Sequence, residues 1–397
     1  MNSDDIKRLE DKYIADTYAR YDVSIVRGEG ATCYDAEGKS YIDFTSGIGV
    51  NALGFCDPGW VRAVAEQAGK LQHTSNLIYT EPCSLAAEKM IRLSGMSNMF
   101  FCNSGAEANE GAIKTARKYS HMKYGAANEG AFNRYEIITL DGSFHGRTMA
   151  TITATGQESF HKDFSPFLQG FAYAKANDVD DLRAKLTDRT CAIMIEFVQG
   201  EGGVNELSRD YVRALAEICE TMDILLIADE VQTGVARTGR FMAYDHFDIK
   251  PDIVTAAKGM GGGLPIGVIL FGEKTKDVLK HGDHGSTYGG NPVVCAGANY
   301  VLSRIDGAFL ARVRENGAYM KERLLSMRGV SEVSGKGLMI GVSLADKTPV
   351  EVVRGCLRGG LLILTAKDKL RLLPPLTISR EDIDAGLEIL ERVVSAM

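Results

Sequence analysis

Six short apolar runs between residues 98 and 272 constrain this chain more than anything else in it: NMFFC (98–102), YEIITL (135–140), CAIMIEFV (191–198), DILLIA (223–228), DIVTAA (252–257) and IGVILFG (266–272). A strand with one face in water alternates apolar and polar residues, so runs without alternation need cover on both faces. Helical patterns follow most of them, and such strand–helix alternation builds an α/β fold with a mainly parallel sheet between layers of helices. The chain's 397 residues, 45% of them hydrophobic, leave room for two or three domains. Each of the first five runs holds or leads into a polar residue: Asn103 and Ser104, Asp141, Glu196, Asp229, Lys258. Ligands of open α/β sheets bind beyond the carboxyl ends of the strands, so these residues are expected to converge on one site.

The last hundred residues change character. Leu310, Val313, Gly317, Met320, Leu324 and Met327 recur at spacings of three and four, as do Ile383, Leu387, Leu390 and Val394, with Ser379 placed to cap the second helix. Between them VSEVSGKGLMIGVSLA and LLILTAKDKLRLLPPL read as strands, which makes a small α+β domain. RGEGATCYDAEGKSYIDF near the N-terminus reads as a strand hairpin. The expected division is 1–46 as a segment packing with the small domain, 47–300 as the large domain and 301–397 as the small one. No internal repeat or low-complexity linker interrupts it.

Charge and cysteine usage narrow the function. A net charge of −7 without a basic run argues against nucleic-acid partners. No apolar stretch is long enough to span a bilayer and the N-terminus lacks a signal-peptide pattern, so a cytoplasmic location without membrane attachment is expected. Eight cysteines without a C-x-x-C pair suggest buried, reduced thiols and no metal site.

Two nucleotide motifs fail on inspection. EGKS (37–40) has Cys33 where a phosphate loop needs glycine, and GKGLMIG (335–341) does not spell the dinucleotide fingerprint in a strand-to-helix setting. CNSGAEANEGAIKTARKY (102–119) carries more. Ser104 followed by Glu107 predicts a capping box, so the amides of Gly105 and Ala106 would point at a phosphate or simply begin an ordinary capped helix. In IADEVQTG (227–234), strand alternation sends Asp229 and Glu230 to opposite faces, so they are no catalytic pair. Lys258, flanked by Ala256, Ala257 and Gly259, has little bulk beside it. Desolvation there would lower its pKa and make the amine nucleophilic, although a snorkelling strand-end lysine has the same surroundings.

Together, a phosphate cradle, a carboxylate and an amine at neighbouring strand ends are the contacts that pyridoxal phosphate requires. Phe144 in DGSFHGRT (141–148) can stack on a flat ring, and Arg147 suits a carboxylate. Arg371, in the apolar run LRLLPPL (370–376), needs an acidic partner, for which Glu196 is the candidate; both arginines also fit structural ion pairs. His145 reads as structural rather than as a general base.

CNSGAEANEGAIKTAR, SFHGRT, IEFVQGEGG, LIADEVQTGVARTG, DIVTAAKGMGGGLPIG, STYGGNP and RLLPPL stand in the order and approximate spacing of the class III, or ω-, aminotransferases of pyridoxal-phosphate fold type I, which the chain resembles over nearly its whole length. FTSGIGVNALG and HTSNLIYTEP look most like the acetylornithine aminotransferase branch. The resemblance implies that Lys258 forms the imine with the cofactor and Asp229 pairs with its ring nitrogen. Gln232 would lie near the ring hydroxyl, Phe144 would stack on the ring, and Ser104, Gly105 and Ala106 would cradle the phosphate. Thr287 would reach the phosphate of the neighbouring subunit, which implies a homodimer. Arg147 would hold the donor's carboxylate and the distal carboxylate of 2-oxoglutarate. Glu196 and Arg371 would form a switch that hides the arginine from the donor and frees it for the α-carboxylate of glutamate.

The chain departs from the family pattern in GFCDP (54–58), at Phe197, which adjoins Glu196, and at Ala236, where glycine is common. The implied reaction moves the δ-amino group of N2-acetyl-L-ornithine to 2-oxoglutarate in arginine biosynthesis. Ornithine δ-aminotransferases carry tyrosine where Ile48 aligns, which tilts the reading away from free ornithine. The succinyl analogue and 4-aminobutyrate stay open as donors, as do an aminomutase or decarboxylase on the same fold and a non-catalytic cofactor binder.

Overall fold

The computed structural model describes residues 1–125 and 134–395. All six apolar runs form strands: Asn98–Cys102, Glu136–Leu140, Thr190–Ile195, Leu225–Asp229, Ile253–Ala256 and Gly267–Phe271. Phe171–Ala174, which the sequence reading missed, pairs with Glu136–Leu140 at one edge of the same sheet. From the other edge the order is Asn98–Cys102, Gly267–Phe271, Ile253–Ala256, Leu225–Asp229, Thr190–Ile195, Glu136–Leu140, Phe171–Ala174. Gly267–Phe271 runs antiparallel to both neighbours and the rest pair in parallel. Its direction follows from its connection: no crossover helix separates Ala256 from Gly267, and a parallel return would need one.

Alternate residues of these strands feed two cores. Ile137, Ala192, Met194, Leu225, Ile227, Ile253 and Ile269 pack with Ala108, Ala112, Ile113 and Ala116 of helix Gly105–Tyr124. Ile138, Ile193, Ile195, Leu226, Val254 and Leu270 join the larger core, which includes Tyr211 and Leu215 of helix Arg209–Met222. Burial on both faces is why the strands read as unbroken apolar runs.

A second sheet, Val330–Lys336, Met339–Leu344, Lys369–Leu372 and Leu364–Ala366, is antiparallel and packs with helices Gly307–Leu325 and Arg380–Ser395. The C-terminal helix buries Ile383, Leu387, Leu390 and Val394, and the Ser379 hydroxyl accepts the Asp382 amide at 3.0 Å, as a cap should. Near the N-terminus, Ile25–Glu29, Thr32–Asp35 and Ser40–Asp43 form an antiparallel meander whose last strand pairs in parallel with Leu361–Leu362. The chain leaves it through an unusual turn: Ser46, Gly47, Ile48 and Gly49 all have positive φ, at 41°, 61°, 66° and 77°. Asp43 stabilises its start by accepting the Thr45 amide at 2.7 Å. Among the described residues no helix is long and apolar enough to cross a membrane, and no cluster of His, Cys, Asp and Glu could hold a metal ion.

Candidate active site

Strand ends do converge. At the end of Asn98–Cys102, Ser104 is extended and its hydroxyl accepts the Glu107 amide at 3.1 Å. The second arm of the expected capping box is displaced by one residue, since Glu107 accepts from the Asn103 amide at 2.7 Å rather than from Ser104. The amides of Gly105 and Ala106 have no carbonyl one turn back, and these residues line the pocket, where the positive end of the helix favours an anion. Gly105 is required by close approach: a Cβ there would meet Val231 Cγ1 at 2.6 Å.

Asp229, at the end of its strand, faces the same pocket, whereas Glu230 turns away and accepts the Tyr244 amide at 3.0 Å. The Asp229 carboxylate is held by three groups directly and by a fourth at one remove. Oδ1 accepts the Val231 amide at 3.0 Å; Oδ2 accepts from Asn109 Nδ2 at 2.8 Å and lies 2.7 Å from His145 Nδ1. The fourth, Thr255, acts through Asn109, donating to its Oδ1 at 2.7 Å. Burial works against a charged His145, but Asp229 outweighs it and raises the imidazole above its ordinary pKa. Thus His145, read from sequence as merely structural, and Asn109, which drew no comment, form the setting of the key carboxylate. Two separate motifs, GAEANE and SFHGRT, carry them, and only the fold brings those motifs together.

Lys258 opens a short turn, Lys258–Gly261, with φ at 39°, a strained value for a residue with a side chain. Burial lowers its pKa, with the Glu201 carboxylate opposing and the Arg371 charge assisting. Ala257, Leu264, Pro265 and Ile266 line the pocket with it. Phe144 meets Phe160 edge-on at 5.3 Å, and the exposed Arg147 guanidinium lies over the Phe160 ring at 4.5 Å, with no ion pair to it among the described residues.

One expected pairing is wrong. Arg371 bonds Glu201, not Glu196: Nη1 lies 2.5 Å from Glu201 Oε1 and 3.2 Å from Gln232 Oε1. After Ile195 the chain enters a small hairpin, Val198–Gln199 with Asn205–Glu206, and Glu201 lies in its connection, against Arg371 of strand Lys369–Leu372. Val198 and Val204 pack with Met339 and Leu373, while Glu206 pairs with Lys336 at 2.7 Å, so the hairpin is seated on the strands that carry Arg371. Glu196 stays on the sheet side, where it accepts the amides of Phe144 at 2.9 Å and Gly200 at 3.3 Å and burial raises its pKa to about 7. Arg371 holds Glu201 below the usual carboxylate range despite burial, which alone would raise it. Phe197 likewise does not adjoin the pair; it stacks on Phe247 at 5.1 Å inside the core. The glycine-flanked acid in QGEGG was the signal available for Glu201. Tyr21, also overlooked, donates to the Ile363 carbonyl at 3.2 Å and feels the charge of Arg371.

Ser104, Gly105, Ala106, Phe144, Arg147, Glu196, Asp229, Gln232 and Lys258 therefore surround one pocket of about 440 Å³, with Arg371 reaching it through Gln232. Thr287 does not belong to it; it is exposed and lines a separate cleft with Ser75, Asn76 and Lys280. A desolvated amine, a carboxylate fixed to meet a protonated ring nitrogen, and helix-terminal amides for a phosphate match pyridoxal phosphate in charge and in number of contacts. The fold and these groups define a pyridoxal-phosphate enzyme that exchanges amino groups.

The chain belongs to the class-III aminotransferases, whose family model matches residues 13–394. It is 51% identical over the full length of both chains to the acetylornithine aminotransferase of Haemophilus ducreyi. Among solved structures it superposes on the ornithine aminotransferase of Toxoplasma gondii with a TM-score of 0.93, at 31% identity and covering 99% of this chain and 94% of that one. The N-acetylornithine aminotransferase of Stenotrophomonas maltophilia gives a TM-score of 0.82 at 34% identity, with 98% of each chain covered.

Proposed function

We propose that the enzyme moves the δ-amino group of N2-acetyl-L-ornithine to 2-oxoglutarate, yielding N-acetyl-L-glutamate 5-semialdehyde and L-glutamate, a step of arginine biosynthesis. One observation supports the two-substrate chemistry: Arg147 lines the pocket without an ion pair among the described residues, while Arg371, which reaches it through Gln232, is masked by Glu201. The full-length identity to the Haemophilus ducreyi enzyme supports N-acetylornithine as donor.

Arg147 binds the donor's carboxylate, which brings the δ-carbon toward Lys258. The acetylated end carries no second charge to draw Arg371 away from Glu201. Bound pyridoxal phosphate supplies the electron sink that acidifies the reacting carbon. Lys258 Nζ, whose pKa burial lowers, takes that proton and returns it. Asp229, with Asn109 and His145 behind it, would hold a positive charge at the ring nitrogen; Ser104, Gly105 and Ala106 would hold the phosphate, and Phe144 and Gln232 would orient the ring. When 2-oxoglutarate enters, Arg147 takes the distal carboxylate and Arg371 leaves Glu201 for the α-carboxylate. Both substrates use Arg147, so the first product leaves before the second substrate binds.

The same reading makes the molecule a homodimer in which Thr287 of each chain serves the other's phosphate. Its exposure outside the pocket supports this, as do the exposed apolar side chains of Leu77, Ile78, Tyr79 and Tyr288 around that cleft. It also retains the division at 1–46, 47–300 and 301–397, supported by pairing of Ser40–Asp43 with Leu361–Leu362.

The test follows the visible absorbance of the bound cofactor, without oxo acid, on adding N-acetylornithine, ornithine or 4-aminobutyrate. N-acetylornithine should discharge the band fastest, and 2-oxoglutarate should restore it. Faster discharge by either competitor would replace the donor while leaving the class intact.

A further inference from the structure

We infer that Asn109 is a positioning residue for Asp229 and that the Thr255 hydroxyl is what sets its orientation. This rests on the reading of Asp229 as the carboxylate that meets the cofactor's ring nitrogen. The four side chains involved, Asn109, His145, Asp229 and Thr255, are all buried at 3% exposure or less.

The orientation of the Asn109 amide follows from its neighbours alone. One neighbour is the His145 carbonyl, at 2.7 Å, and another is the Asp229 carboxylate, at 2.8 Å. Both only accept, so the group facing them is the NH2, and each of its protons has one partner. Oδ1 then points the other way and needs a donor, which the Thr255 hydroxyl supplies at 2.7 Å. Reversed, the amide would set its oxygen against a carboxylate and a carbonyl, a buried repulsion with nothing to offset it.

The consequence for the cofactor lies in what Asp229 has left to offer. Oδ2 is taken by Asn109 and His145, while among the described residues Oδ1 is engaged only by the Val231 amide and keeps a lone pair for the pocket. Asn109 thus turns the carboxylate so that its free lone pair faces the ligand. It also binds helix Gly105–Tyr124, whose first amides face the phosphate position, to the strand end that holds Asp229. Both ends of the cofactor are thereby set by one side chain, and Thr255, on the neighbouring strand, decides which way that side chain faces.

The experiment uses the full-length protein, stripped of cofactor and titrated with pyridoxal phosphate, with affinity read from the visible absorbance and melting of the cofactor-free form measured in parallel. Thr255→Val keeps the shape and removes the hydroxyl; Thr255→Ser keeps the hydroxyl; Asn109→Leu removes the amide. Expected are losses of affinity of about tenfold for Thr255→Val and more for Asn109→Leu, recovery in Thr255→Ser, and a displaced pH midpoint of the bound cofactor's band in Thr255→Val. Unchanged affinity in Thr255→Val overturns the inference. So does a loss that Thr255→Ser does not recover and that follows a lowered melting temperature of the cofactor-free protein. Failure of the unaltered protein to bind pyridoxal phosphate would instead overturn the reading of the site.

Discussion

Arg371 and Glu201 are an ion pair whose worth depends on what else enters the pocket. Arg371 is almost fully buried and its counter-charge is Glu201; on the proposed reading the substrate's α-carboxylate takes that place when it binds. Glu201→Gln weakens the first without touching the second. The KM for glutamate should fall, with a ceiling set by one charge-assisted hydrogen bond of about 1.5–3 kcal/mol. The half-reaction with N-acetylornithine should slow, because an unmasked Arg371 competes with Arg147 for its carboxylate. Single-turnover measurements with each donor would show this divergence; an equal change with both donors would refute masking.

At the scale of elements, the left-handed turn Ser46–Gly49 and the segment after Leu225–Asp229 hold conformations that water would not choose. Ile48 is β-branched, exposed and at φ 66°, a combination costing about 1–2 kcal/mol, in a turn that leads straight to Val50 on the pocket wall. Ile48→Gly should therefore stabilise the fold by about 1 kcal/mol, less the added freedom of glycine when unfolded, and raise the denaturant midpoint. A lowered midpoint would show that Ile48 contributes contacts worth more than the strain. Glu230, fully buried beside Thr233 and the Tyr244 amide, has its pKa raised by burial from 4.5 to about 7. At Glu230 the folded state then holds more protons than the unfolded one between those values, so this group's contribution to stability is full below pH 4.5 and is lost as pH rises through about 7. Glu230→Gln removes that decline. Its melting temperature should gain on the unaltered protein between pH 5 and pH 8; a constant difference would mean that Glu230 titrates normally.

The proposed role of Thr287 belongs to the scale of the whole molecule. Mixing Lys258→Ala and Thr287→Ala proteins under conditions that exchange subunits distinguishes the two arrangements. If Thr287 serves the partner's site, a mixed dimer has one site bearing both substitutions and one bearing neither, and activity returns. If it serves its own chain's site, each site in the mixed dimer bears one substitution and activity stays low. Sedimentation of the unaltered protein should meanwhile show twice the 43.1 kDa of one chain.

The sequence by itself determined the sheet, because strands buried on both faces must be apolar throughout and six such runs lie in order along the chain. It also determined Lys258, Asp229 and the Ser104 turn, since each stands at the end of a run and carries a charge or cap that an ordinary strand end does not need. Phe171–Ala174 escaped because a four-residue edge strand, only half-buried, leaves no such pattern. What only the tertiary structure decided was partnership. Glu196 and Glu201 are five residues apart and look alike as acids, and which of them meets Arg371 depends on the hairpin between Val198 and Glu206 packing on Met339 and Leu373. Asn109, His145 and Thr255 lie in three separate segments and become one network because parallel strands bring their carboxyl ends side by side. Local patterning records how much of a residue is buried; it does not record which distant polar group shares that burial, and the chemistry here depends on those pairings.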